Sequence, residues 1–170
     1  MWPVRTEWDE DDSTQIIQGF EFEGGDRILI ADGSPLVGDW LRGALGGDVR
    51  VERSDNSRRV FERLTADPPR ILVVGTQLLD VSGSVMLAHA ARYNIVGPHH
   101  GPTVFLIGAS NVDMPQVDEQ LVPVFYRLTP ELPPQRVREL FQIALARQDK
   151  PPDTLASTTA RIVAITDVTR

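Results

Sequence analysis

The chain has 170 residues, no cysteine and a formal net charge of −7 with a pI near 4.9. The missing cysteine excludes disulfides, thiolate nucleophiles and cysteine-bound zinc, and the acidic balance argues against direct contact with nucleic acid or anionic membranes, which needs clustered Lys and Arg. No apolar run reaches the roughly 20 residues of a membrane-spanning helix, and the acidic start lacks the basic and apolar parts of a secretion signal, so the sequence points to the cytoplasm.

Composition divides the chain into three regions. Residues 1–26 form an acidic leader in which Trp2, Trp8, Ile16, Ile17, Phe20 and Phe22 are unusually apolar for pure disorder. Phe20 and Phe22 alternate with Glu21 and Glu23, the pattern of an added edge strand, which leaves two readings open: a leader docked on its own body or on a neighbouring subunit, and a solvated acidic tail. Residues 27–148 carry alternating apolar runs and amphipathic stretches. Residues 149–170 form a polar tail that opens at Lys150-Pro151-Pro152. Its Arg161-Ile162-Val163-Ala164-Ile165 stretch is apolar enough to begin another element, which fits either a linker to a missing output domain or a segment that packs back on this domain.

The middle region reads as five β-α units. Ile28-Leu29-Ile30-Ala31 is the first strand, followed by the turn Asp32-Gly33-Ser34-Pro35 and a helix through Val37, Leu41 and Leu45. Gly46-Gly47 ends that helix as a natural C-cap. Val49 and Val51 alternate with Arg50 and Glu52, as in an edge strand. Ser54-Asp55-Asn56 then supply N-cap chemistry for a helix with Val60, Phe61 and Leu64 on its buried face. Ile71-Leu72-Val73-Val74 is apolar on both faces, which suits a central parallel strand. A helix from Gly83 carries Val85, Met86 and Ala90. Thr103 to Ile107 is the fourth strand, and a short fourth helix with Val117 and Leu121 is expected after it. The fifth strand spans Val122 to Leu128. A last helix from Pro134 to Arg147 buries Val137, Leu140, Phe141, Ala144 and Leu145.

This order predicts a doubly wound α/β fold: a five-stranded parallel sheet of flavodoxin-like type, strand order 2-1-3-4-5, with helices on both faces. In such sheets the site lies beyond the carboxyl ends of the strands. Gly24-Gly25-Asp26 precedes the first strand, so it is no dinucleotide fingerprint, whose glycines follow a strand. Gly33-Ser34-Pro35 lacks the nucleophile-elbow pattern. His99-His100 reads as an exposed loop, since adjacent histidines chelate poorly and no acidic partner is near in sequence.

Three stretches together resemble the response-regulator receiver (CheY-like) domain over residues 27–147. These are Ile28 to Pro35, the third strand with its loop to Gly83, and Tyr126-Arg127-Leu128-Thr129-Pro130. The resemblance implies two acidic residues at the first turn to hold Mg²⁺, a phosphoacceptor Asp ending the third strand, a hydroxyl residue after the fourth and a Lys after the fifth. At those places this chain has Asp32 followed by Gly33, then Gly75, Gly108 and Thr129. The only lysine is Lys150, beyond the last helix, so no shift of alignment restores the Lys.

A phosphoryl-transfer site needs its nucleophile, its metal carboxylates and its cation. The resemblance is therefore to a pseudo-receiver with a degenerate phosphorylation site. No catalytic residue, metal or cofactor is expected, and the chain is read as a signalling module in two-component-type transduction and not as an enzyme. It would act through protein contacts, or as a homodimer, using helix four, strand five and helix five, with Arg136, Arg138 and Arg147 across the interface. Tyr126 matches the family's switch aromatic and is expected to rest inward, because Gly108 has no side chain to block it. Two alternatives stay open: a working receiver with Asp80 as an unorthodox acceptor, and a flavodoxin-like domain that binds a small molecule in a glycine-lined crevice.

Overall fold

The computed structural model describes residues 27–47 and 49–149. The readings of the leader as a docking strand and of the tail as a linker lie outside those residues. The elements are β1 (Arg27–Ala31), α1 (Pro35–Leu45), β2 (Arg50–Ser54), α2 (Ser57–Ala66), β3 (Ile71–Val74), α3 (Gly83–Arg92), β4 (Thr103–Ile107), β5 (Val124–Leu128) and α4 (Pro134–Asp149). The sheet is parallel throughout, in the order β2-β1-β3-β4-β5. This is the predicted flavodoxin-like topology.

Three of the four described helix starts carry a side-chain cap. Ser34 Oγ accepts the Leu36 amide at 3.2 Å, and Pro35 stands where a helix has no use for an N–H. Asn56 caps α2 by accepting the Arg59 amide at 2.9 Å, and Ser82 caps α3 by accepting the Val85 amide at 3.2 Å. Gly46 ends α1 at φ 87°, a left-handed conformation that costs glycine little.

Period-two alternation along the central strands sorts the core into two layers. Ile28, Ile30, Ile71, Val73, Phe105 and Ile107 face α1 and α4, where Trp40 and Phe141 are fully buried. Leu29, Ala31, Leu72, Val74, Val104 and Leu106 face α2 and α3. Phe105 and Phe141 stack at 4.4 Å between ring centroids, which ties β4 to α4. All five positions predicted for the buried stripe of the last helix are buried. In α3 the stripe is Met86, Leu87 and Ala90, and Val85 turns outward at 42% exposure.

The fourth helix is a correction. Residues 108–123 contain no helix. Pro115 lacks an amide donor and disfavours helical backbone in the residue before it. Polar side chains also take the local amides: Ser110 Oγ accepts from Val112 and Asp113, and Asp118 Oδ1 accepts from Gln120. Gln116 N–H donates to Ser84 Oγ at 2.9 Å, which moors the segment to α3. Met114 and Val122 still bury their side chains, so the segment covers the core without helical form, and Leu121 is exposed. The fifth strand begins at Val124 and not Val122, because Pro123 has no N–H to give the ladder.

Truncating the stacked ring tests the α1/α4 layer. Phe141→Ala is expected to lower unfolding free energy by about 3–5 kcal/mol, measured by urea denaturation followed by circular dichroism.

Candidate functional site

The carboxyl ends of β1 and β3 lie side by side, since Ala31 pairs with Val74. That register sets Asp32 against Gly75. Asp32 is a buried carboxylate at 6% exposure, and the Ser34 amide donates to its Oδ1 at 3.3 Å. Burial pushes its carboxyl above the ordinary value, opposed by the amides of Ser34 and Gly33 and by the positive charge of Arg53.

The Asp32 side chain fills the place where a side chain at position 75 would start. A Cβ on Gly75 would lie 2.6 Å from both Asp32 Cγ and Oδ2. The other side of Gly75 is closed too, because a Cβ on Gly83 would come within 1.9 Å of the Gly75 carbonyl oxygen. The first turn of α3 therefore rests directly on the end of β3. Gly33 donates its N–H to the Gln77 carbonyl at 2.9 Å, which joins the first turn to the loop after β3.

Gly108 and Thr129 stand beyond the paired ends of β4 and β5, where Ile107 lies opposite Leu128. Gly108 is covered by backbone, with the Asp113 carbonyl oxygen 1.9 Å from its would-be Cβ. Thr129 is half-buried, and its carbonyl accepts the Leu132 amide. The glycines at the strand ends thus mark close approach of neighbouring atoms and not open volume.

Asp80 stands apart from this cluster. Its carboxylate accepts the Ser57 amide at 3.0 Å and also the Ser57 hydroxyl, across the start of α2. Those hydrogen bonds hold its carboxyl below the ordinary value. Tyr126 is half-buried against the α1/α4 layer, with the Arg136 guanidinium 6.0 Å from its ring centroid. His99 and His100 are exposed in the loop before β4. Among the described residues no group of three His, Cys, Asp or Glu could hold a metal ion, and no helix is long and apolar enough to cross a membrane.

One site residue escapes sequence reasoning. Arg53 donates to the Asp32 backbone carbonyl at 3.1 Å and is the cation nearest in effect to the buried carboxylate. The signal was present, since the β1–β2 register places Arg53 beside Ile30 at the end of the strand, but an arginine in an alternating edge strand reads as a solvated charge.

The fold and site define a doubly wound α/β domain with a buried aspartate at the carboxyl end of its first strand. No protein-family model matches the chain, and no curated protein matches it in sequence. Solved structures do. The signal receiver domain of an HD domain-containing protein from Pseudomonas fluorescens superposes with TM-score 0.56 at 14% identity, covering 74% of this chain and 98% of that one. A receiver domain of a Francisella response regulator gives TM-score 0.57 at 10% identity, over 74% of this chain and 100% of that one. A chemotaxis response regulator of Vibrio cholerae gives 0.53 at 10% identity, over 70% and 98%. The chain has the receiver-domain fold, and likeness at these identities speaks for the fold alone.

Two carboxylates displaced in opposite directions predict opposite pH behaviour. Asp80 is held low, so its contribution to stability is present above the ordinary Asp pKa and lost as pH falls through its folded value. Asp80→Asn is expected to melt below the parent at pH 7, with the gap closing in strong acid. Asp32 is held high, so its ionisation costs stability once pH rises above the unfolded-state pKa and on through the folded value. Asp32→Asn is expected to melt above the parent at pH 7, with the gain shrinking below about pH 4, near the ordinary Asp pKa. Thermal melts across pH 2–8 read both.

Proposed function

We propose that the chain is a receiver-like signalling module of two-component type that has given up phosphoryl transfer and acts in the cytoplasm through protein contacts. The observation that carries this reading is the Asp32 carboxylate lying over Gly75, where an acceptor side chain would have to begin. An aspartate nucleophile at that strand end would have to displace the Asp32 carboxylate. The remaining requirements point the same way. Gly33 offers no second carboxylate, Thr129 no cation, and the only lysine follows α4. No catalytic role and no cofactor is assigned.

The alternatives draw less support. Asp80 is committed to Ser57 across the start of α2, which makes it a structural tie and a poor acceptor. The small-molecule reading needs room at the strand ends, and Gly75 and Gly108 are both closely covered. With no switching hydroxyl beyond β4, Tyr126 stays in one setting against the core beneath Arg136, and the face it belongs to presents a constant surface. That face consists of β5 and α4, because the expected helix between β4 and β5 does not form.

The test is an amide NMR spectrum of the full chain titrated with Mg²⁺ and beryllofluoride, a mimic of phosphorylated aspartate. Cross-peaks of residues 32, 75, 80 and 108 are expected to stay in place. Saturable shifts at Asp32 or Asp80 that spread to Tyr126 would overturn the reading. Gly75→Asp is expected to remain silent in the same titration, and overpacking against Asp32 should lower its stability by about 1–3 kcal/mol in urea denaturation.

A further inference from the structure

The two edges of the sheet differ. β2 carries Arg50, Glu52 and Arg53, and Glu52 is paired with Arg63 at 2.7 Å. Charges of this kind guard an edge against further pairing. β5 carries Val124, Phe125 and Tyr126 with a single exposed charge, Arg127. Among the described residues, none hydrogen-bonds to the outward backbone groups of β5. A row of N–H and C=O groups that no described residue pairs, beside half-buried aromatics, is a template for one more strand.

The flank of α4 above that edge is shaped for an occupant. Arg136, Leu140, Ile143 and Arg147 share one stripe of the helix, at spacings of four, three and four residues. Arg136 lies over Tyr126, and Arg147 lies 5.5 Å from the Phe125 ring centroid. Between them Ile143 is 46% exposed. Arg147 makes no ion pair among the described residues, whereas Arg136 meets Glu139 and Arg127 meets Glu119. The lane outside β5 thus offers an apolar step between cations, beside open backbone.

The sequence holds one segment that matches it. Residues 1–26 contain eight acidic residues and one basic residue, a net of −7. The remaining residues hold sixteen of each sign, so the whole net charge of the chain sits in the leader. Within it, Phe20-Glu21-Phe22-Glu23 puts two rings on one face of a strand and two carboxylates on the other.

Reach decides whose leader fits. Strands lie about 4.8 Å apart, so the lane outside β5 is four spacings, about 19 Å, from β1. Glu23 is four residues before Arg27, and four extended residues span at most about 14 Å. A chain cannot lay this tetrapeptide along its own β5.

We infer that the outer edge of β5 takes the Phe20–Glu23 segment of a second copy, so that two chains exchange acidic leaders as sixth strands. The rings of Phe20 and Phe22 pack beside Ile143 on the α4 side, between the guanidinium groups of Arg136 and Arg147, and Glu21 and Glu23 lie on the other face, where they take up Arg127 in place of Glu119. This pairing does not depend on whether phosphoryl chemistry is lost.

The absence of native cysteine makes the test clean. Full-length Glu21→Cys protein is mixed with a size-tagged Arg127→Cys chain and oxidised mildly, and the products are separated on a non-reducing gel. A mixed covalent dimer is expected, and replacing the partner by Arg50→Cys on the opposite edge should reduce its yield at least several-fold. Ile143→Asp in the Arg127→Cys chain, an exposed position that leaves the core intact, should reduce it similarly. No mixed dimer above the Arg50→Cys control, or a yield indifferent to Ile143→Asp, would overturn the inference.

Discussion

Position 75 is held from both sides, by the Asp32 carboxylate and by the first turn of α3, and the head of the domain is arranged around that contact. Because Gly83 touches the Gly75 carbonyl, α3 begins directly on the end of β3. The loop between them must then fold outward, and its tip is tied down by Asp80 on Ser57 and by the Leu79 amide on the Asp55 carbonyl. The first turn is drawn into the same arrangement through Gly33 and Gln77. Three connections that would otherwise move separately share backbone hydrogen bonds. Arg53 completes the set by adding positive charge beside a carboxylate that burial would otherwise isolate. The carboxylate stays inside because amides and a guanidinium replace water around it.

On the other side of the sheet, the β4–β5 crossover shapes the outer surface. The irregular segment covers the core through Met114 and Val122 and leaves the strand edge open. Tyr126 and Phe125 are instead shaded from the α4 side by the stems and guanidinium groups of Arg136 and Arg147. The outer surface at β5 is consequently a strand with cationic eaves and not a pair of helices.

The sheet was legible because its central strands are continuously apolar and its turns carry glycine, proline and capping residues at the right offsets. Ile71-Leu72-Val73-Val74 could be read almost without context. The expected fourth helix failed because Val117 and Leu121 satisfy a helical spacing by themselves, while Pro115, Ser110 and Asp118 divert the backbone, a competition that a two-residue pattern does not register. For the site, aligning motifs identified which positions carry glycine. It gave no sign that Asp32 leans over Gly75, since that depends on the β1–β3 register and on the packing of α3. Arg53 was passed over because its role arises only when β2 is laid beside β1.

The β4–β5 crossover also bears on the order in which the molecule assembles. A parallel strand pairs only after its crossover closes, and closing a long loop costs chain entropy before any ladder bond forms. The crossovers into β3 and β4 contain α2 and α3, whose backbone hydrogen bonds are local and form early. Residues 108–123 have no helix, and their local backbone bonds are few, such as those of the Leu121 and Val122 amides to the Asp118 carbonyl, while β5 has sheet on one side only. The β5–α4 unit is joined to the rest of the domain by the β4–β5 ladder, by the buried stripe of α4 with its Phe105–Phe141 stack, and by Gln148, which reaches back to Arg70 and Thr103. A strand added at the outer edge of β5 would steady a unit whose crossover closes without a helix of its own.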